Sequence, residues 1–273
     1  MRKGYFIAGG VLAALCIVCV VLLVVPKVSD TDGNVTEEEV KQAVADAYET
    51  VEAQVIEVES EEEVADTYVS PVDFASLQEI NSEIHAWLYI PGTDINYPIL
   101  QSATDDEWYL THDIEGNYDA DGSLFTQATY NSTDFSDPVT IVYGHRRDDG
   151  TMFGELQTLY SADGGIETYS ELVIYLPETE LHYTVFAAVP YDDRHILYTY
   201  DFENSAMYSS FLKTINNVRD LSAQFSDTVS VDTNDTLLIL STCLYGDSEK
   251  RYLILAREDS DITGTTVETV VRE

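Results

Sequence analysis

Thr236-Leu-Leu-Ile-Leu-Ser-Thr-Cys243, Leu244-Tyr-Gly-Asp-Ser-Glu-Lys250 and Arg251-Tyr-Leu-Ile-Leu-Ala-Arg257 follow one another in the chain. Two apolar, branched runs of strand length flank a short polar link, and Gly246-Asp247 within it is a turn dipeptide. The pattern predicts an antiparallel hairpin. Paired strands stand about 4.8 Å apart, so a cysteine closing one strand and an arginine opening the next line one small patch of surface. Cys243 is also the only cysteine in a position to meet a substrate, because Cys16 and Cys19 lie inside the uncharged apolar run from Tyr5 to Val25. An unpaired thiol on an exported domain is exposed to oxidation, which favours a used nucleophile over an inert packing residue. Arg251 stays protonated and offers a fork of donors suited to a substrate carbonyl or a forming oxyanion. Arg257 lies on the same face but six residues further from the hairpin mouth.

A thiol is mostly protonated at neutral pH, so a cysteine enzyme places a base beside it. Of the five histidines, His145 has the setting that matches Cys243. It closes the strand-like run Val139-Thr-Ile-Val-Tyr143, and Gly144 before it allows close backbone approach. His182 sits within a strand-like stretch, which points to a hydrogen-bonded structural role, and His85, His112 and His195 lie in mixed polar surroundings.

Outward from this centre, strand-like runs cover Ile95 to Leu100, Gly122 to Gln127, Val139 to Tyr143, Glu171 to Leu176, His182 to Val189, Ile196 to Tyr200, Thr228 to Val231, Leu237 to Thr242 and Tyr252 to Ala256. Many short strands with polar turns predict a mainly β domain with peripheral helices, folded as a closed barrel or sandwich. A helical pattern runs from Phe74 to His85. A second spans Asn204 to Val218, placing Met207, Phe211, Leu212, Ile215 and Val218 on one stripe.

Tyr143-Gly-His145, Leu240-Ser-Thr-Cys243 and Arg251 before an apolar strand, in that order, resemble the His, Cys and Arg signature of sortases, the membrane-bound cysteine transpeptidases of Gram-positive bacteria. Asn81-Ser-Glu-Ile-His-Ala-Trp87-Leu-Tyr-Ile-Pro91-Gly-Thr-Asp-Ile-Asn-Tyr97-Pro98-Ile-Leu-Gln101 is similar to the passage from N-terminal helix to first barrel strands in class B sortases. The likeness runs from about Val72 to Arg257. Leu244 follows the cysteine where some class B members carry an acidic residue, and the link to Arg251 is short. The resemblance implies a closed barrel of about eight strands, an N-terminal helix, and a helix in the loop between the sixth and seventh strands. It implies catalytic His145, Cys243 and Arg251, a sorting-motif-bearing exported protein as substrate, and an amine on a cell-wall precursor or a pilin subunit as acceptor.

The 273 residues hold enough apolar content, 45%, for one substantial core. The expected organisation is a cytoplasmic stub and transmembrane anchor (1–27), an acidic extracytoplasmic stalk (28–71), the catalytic domain (72–257) and a polar tail (258–273). The apolar run from Tyr5 to Val25 is long enough to cross a bilayer of roughly 30 Å, and Arg2 and Lys3 orient it with the N-terminus in the cytoplasm. A cleaved signal peptide would have a shorter apolar region and a small-residue cleavage site. Bulky Leu15 and Val18 argue against a lipidated cysteine. From Asp30 to Asp66 the chain carries fourteen acidic residues and one basic one, Lys41, with a capping-box pair at Thr36 and Glu39 and helically spaced valines, as in a charged, partly helical spacer.

A net charge of −37 opposes nucleic-acid binding, which relies on clustered cations. The nineteen tyrosines read as strand-face packing. Metal-ligand spacing and phosphate loops are lacking, so no cofactor is expected. Two rival functions share parts of the pattern. An L,D-transpeptidase would carry a glycine immediately before its cysteine, where this chain has Thr242. A non-enzymatic surface adhesin on a stalk would leave the thiol and its two companions as coincidence.

Overall fold

The computed structural model describes residues 68–259, so the expected anchor, nearly all of the stalk and most of the tail lie outside the described residues. Asp73 caps the first helix, α1 (Phe74–Ile80), by accepting from Ser76 N–H at 3.1 Å, and Phe74 and Leu77 bury its inner face. The helical pattern expected through His85 stops at Asn81, whose extended backbone and side-chain bond to Glu83 N–H redirect the chain. His85 therefore lies in the first strand.

Nine strands follow: β1 (Ile84–Tyr89), β2 (Asn96–Leu100), β3 (Leu124–Phe125), β4 (Val139–Tyr143), β5 (Glu171–Tyr175), β6 (Glu180–Tyr191), β7 (Gln224–Phe225), β8 (Leu237–Leu244) and β9 (Asp247–Glu258). They form one sheet in the order β5-β1-β2-β3-β4-β8-β9-β6-β7, and a second pairing of β5 with β6 closes the first eight into a barrel, leaving β7 on β6 outside the ring. Closure is assisted by irregular registers in β1 and in the twelve-residue β6, since bulges bend strands and increase their twist. The expected mainly β fold of about eight barrel strands is the one observed.

Alternation along β8 and β9 separates two cores. Leu238, Leu240, Tyr252 and Ile254 point into the barrel. Leu237, Ile239, Leu253 and Leu255 point outward, onto a layer that includes Tyr208, Phe211, Leu212 and Ile215 of a helix in the β6–β7 connection. That helix, here α5, spans Ser205–Asn216 and starts at Asn204, whose side chain accepts from the N–H groups of Ala206 and Met207. Between α1 and α5 lie the short helices α2 (Leu156–Ser161), α3 (Gly165–Thr168) and α4 (Ile196–Thr199). Met207, expected on the buried stripe, is instead 37% exposed, and Tyr208 takes the inward position.

Two expected strands are not strands. Ile196 to Tyr200 forms α4, because the His195 side chain caps it, accepting from Tyr198 N–H at 3.1 Å; local side-chain bonds of this kind compete with ladder pairing. Thr228 to Val231 joins no ladder. The Ser226 hydroxyl accepts from the N–H groups of Thr228 and Val229, so donors a neighbouring strand would need are already engaged.

Candidate active site

β8 and β9 form the expected hairpin with longer strands than the apolar runs suggest. Leu244 pairs with Asp247 across a two-residue turn, and Cys243 pairs with Arg251. Gly246 has φ +81°, a left-handed conformation that glycine adopts without penalty. Ser248, Glu249 and Lys250 are thus looped out of the ladder between the two pairs. This loop-out positions the guanidinium: Arg251 Nη1 donates to the carbonyls of Ser248 and Lys250 at 3.0 and 3.1 Å and stands 4.0 Å from Cys243 Sγ. Asp247, one of the two carboxylates in the link, is taken by Lys250 at 2.9 Å. Among the described residues no carboxylate forms an ion pair with Arg251.

β4 runs parallel to β8, from Val139 beside Leu237 to Tyr143 beside Ser241. Gly144 N–H donates to Ser241 O at 3.2 Å, so the chain leaves β4 toward His145 at the same end of the sheet at which β8 reaches Cys243. A Cβ at Gly144 would lie 2.3 Å from Leu124 Cδ2 and 2.7 Å from Phe153 Cδ2, so a larger residue would have to displace these two buried side chains. His145 is half-buried. Its main-chain oxygen accepts from Phe153 N–H at 3.1 Å, and its ring Nε2 lies 2.8 Å from the carbonyl oxygen of Leu110. A carbonyl only accepts, so Nε2 carries a proton and Nδ1 is the nitrogen free to exchange one. Leu110 ends a 3-10 turn, Trp108–Leu110, that the sequence reading did not single out. A main-chain carbonyl leaves no residue-type signal.

The other histidines are committed elsewhere. His85 is buried between Thr133 O and Thr126 Oγ1. Its removal from water holds the ring pKa down to about 4, against a smaller opposing effect of the Thr133 bond. His182 lies between Glu171 and Glu180, at 2.9 and 3.0 Å. Burial alone would lower its pKa, but the two carboxylates outweigh that and raise it. His195 caps α4 through Nδ1 and meets Gln127 Oε1 through Nε2 at 2.8 Å, so both ring nitrogens are occupied. His112 stacks on exposed Trp108 with ring centres 3.7 Å apart. Arg257 pairs with Leu237 at the far end of the hairpin and donates to Ser230 O at 3.0 Å.

Cys243, Arg251 and His145 therefore project at one end of the β4-β8-β9 face, on the outward side that the β6–β7 connection covers further along. A cavity of about 370 Å³ between the start of β4 and that connection, lined by Tyr130, Val139, Leu197, Tyr200, Phe202 and Met207 among others, includes none of the three. The local arrangement is that of acyl transfer: a half-buried thiol, a guanidinium at its side, and an imidazole fixed at the end of the neighbouring strand.

The sequence matches the Sortase domain family model over residues 88–259. It is 32% identical over 186 residues to Sortase B of Staphylococcus aureus (strain NCTC 8325 / PS 47), covering 67% of this chain and 73% of that protein. The crystal structure of Staphylococcus aureus sortase B aligns with a TM-score of 0.64 at 28% identity, covering 81% of this chain and 96% of that one. A Streptococcus pyogenes class B sortase involved in pilus biogenesis aligns with a TM-score of 0.57 at 26% identity, covering 69% and 98%. With that family match spanning most of the chain, this protein belongs to the sortases, in their class B, and is a cysteine transpeptidase.

Proposed function

We propose that the chain anchors exported proteins by cleaving a C-terminal sorting motif and transferring the new carboxyl end to an amine. The Cys243 thiolate attacks the carbonyl of the motif's threonine. The C–N bond breaks, and the departing amine takes a proton from His145 as the remainder of the motif leaves. The thioester is then attacked by the acceptor amine, whose proton passes to His145 as the thiolate departs. Arg251 donates to the oxygen that becomes negative in both tetrahedral intermediates. The observation that carries this reading is the direct pairing of Cys243 with Arg251, with Nη1 4.0 Å from Sγ. It sets donors beside the sulfur on the edge where a carbonyl under attack would lie.

Sortases work in the cell envelope, and the run from Tyr5 to Val25 is suited to a single membrane anchor that keeps the N-terminus in the cytoplasm and the catalytic domain outside. Among the described residues no helix is long and apolar enough to cross a membrane, so the anchor assignment rests on the sequence alone. An amine of a cell-wall precursor peptide is the acceptor proposed first. A pilin lysine is the second, favoured by the likeness to a class B sortase involved in pilus biogenesis.

Incubating the protein with a panel of sorting-motif peptides and the two classes of amine tests each step. Cleavage with transfer is expected for the native chain, none for Cys243→Ala, and a rate about 10² to 10⁴ lower for His145→Ala. Appreciable turnover by Cys243→Ala would remove the thioester mechanism, and the preferred amine decides between the acceptors.

A further inference from the structure

His145 is held through a main-chain oxygen, and no side-chain change at Leu110 removes that oxygen. Whatever fixes the Leu110 carbonyl therefore fixes the imidazole. We propose that Gly122 and Tyr109 are positioning residues for His145: they hold the Leu110 carbonyl against Nε2, lock the ring in its Nε2–H tautomer, and reserve Nδ1 for proton exchange with the thiol and the reacting amines. This rests on the reading of His145 as the acid–base group of the transfer reaction.

Gly122 packs directly on that carbonyl. Its φ is +57°, and a Cβ there would lie 2.4 Å from Tyr109 O, 2.6 Å from Leu110 O and 2.8 Å from Leu110 C. All three are main-chain atoms, with no flexible side chain to give way. Any residue other than glycine must drive the two carbonyls back, and the second of them is the acceptor of the His145 bond. The same two segments are tied along their length, by Ser123 N–H to Tyr109 O at 2.9 Å and Asp119 N–H to Thr111 O at 2.9 Å.

Tyr109 fixes the turn from its other side. Its ring is 2% exposed. Its hydroxyl donates to Glu83 Oε2 at 2.6 Å and accepts from Asn81 Nδ2 at 2.8 Å. The other Glu83 oxygen accepts from Ala103 N–H at 3.1 Å, and Asn81 Oδ1 accepts from Glu83 N–H at 2.9 Å. The residue before Leu110 is thus pinned to the junction of α1 and β1, and the Leu110 carbonyl is trapped between that anchor and Gly122.

The test uses the full chain labelled with ¹⁵N-histidine, with the His145 ring signals assigned by comparison with His145→Gln. In the native chain Nε2 is expected to be protonated and Nδ1 unprotonated in the neutral ring. Gly122→Ala should give a mixture of tautomers and lower kcat for peptide cleavage by about 10- to 100-fold, the scale of a small misplacement of a reacting group, with KM changed less than about twofold. Tyr109→Phe keeps the buried ring and should shift the tautomer ratio the same way with a smaller loss of kcat. Thermal unfolding of each variant separates these effects from loss of fold. An Nδ1–H tautomer in the native chain overturns the proposal, as do variants that lose stability while tautomer and kcat stay native. If both variants unlock the tautomer but transfer is unaltered, and His145→Ala also transfers normally, the acid–base assignment of His145 fails and the positioning role goes with it, whereas the hydrogen-bond anchor itself stands.

Discussion

Arg251 and Arg257 share a strand and a face, yet only Arg251 stands beside the thiol. Arg251 faces Cys243 in register, while Arg257 faces Leu237 and spends its guanidinium on Ser230 O and Asp259. A lysine at 251 keeps the charge but cannot reproduce a planar fork of donors. Arg251→Lys is expected to lower kcat/KM for peptide cleavage by about 10² or more, the scale of losing one oxyanion donor, with Arg257→Lys nearly silent. Equal tolerance at both positions would mean charge alone suffices. The positions of Cys243, Arg251 and His145 at one end of neighbouring strands were legible in the sequence, because each stands at the end of an apolar run beside a glycine or a turn, where residue type and strand period together fix the exposed position. The Leu110 carbonyl was not legible. Its role depends on tertiary contacts of Gly122 and Tyr109, which lie twelve and one residues from it in sequence and carry no shared pattern.

At the scale of elements, strands whose apolar runs are long and branched were readable almost to the residue, as for β4, whereas segments decided by a single local bond were not. His195 turned an expected strand into α4 by capping it, and the Ser226 hydroxyl kept Thr228 to Val231 out of the sheet. The α5 helix was legible because its cap and its apolar stripe agree. Asn204 satisfies two of the otherwise unpaired N–H groups of the first turn, and Phe211 and Ile215 are fully buried against the outer face of β8 and β9. Asn204→Ala should therefore cost about 1 kcal/mol, a fall in melting temperature of roughly 2–4 °C for a domain of this size. The same variant should keep its kcat, because α5 contributes none of the three side chains proposed to react. A melting temperature equal to that of the native chain would show that solvent replaces the cap without loss.

At the scale of the whole molecule, barrel closure through β5 and β6 could not be read from period alone, since alternation tells which face a residue occupies and not which strand lies beside it. The fold also holds one buried histidine, His85, and one partly exposed histidine paired with two carboxylates, His182, and the two respond to pH in opposite senses. His85 has its folded pKa held down to about 4, below the unfolded value of about 6.5. The unfolded chain therefore takes up a proton first as pH falls, and the stability tied to the neutral ring is lost between about pH 6.5 and 4. At pH 5 the loss is on the order of 2 kcal/mol relative to neutral pH. His182 has its folded pKa raised by Glu180 and Glu171. Its contribution is fully present below the unfolded value and disappears as pH rises through the folded one. Denaturant unfolding at fixed ionic strength, which keeps charge screening constant, isolates each term by difference between native chain and variant at the same pH. The stability gap between the native chain and His85→Gln should be widest near pH 8 and shrink on acidification to pH 5. The gap for His182→Gln should be widest near pH 6 and shrink toward pH 9. Parallel pH profiles for native chain and variant at either position would mean that the histidine in question titrates alike in the folded and unfolded states, which the burial of His85 and the two carboxylates flanking His182 both oppose.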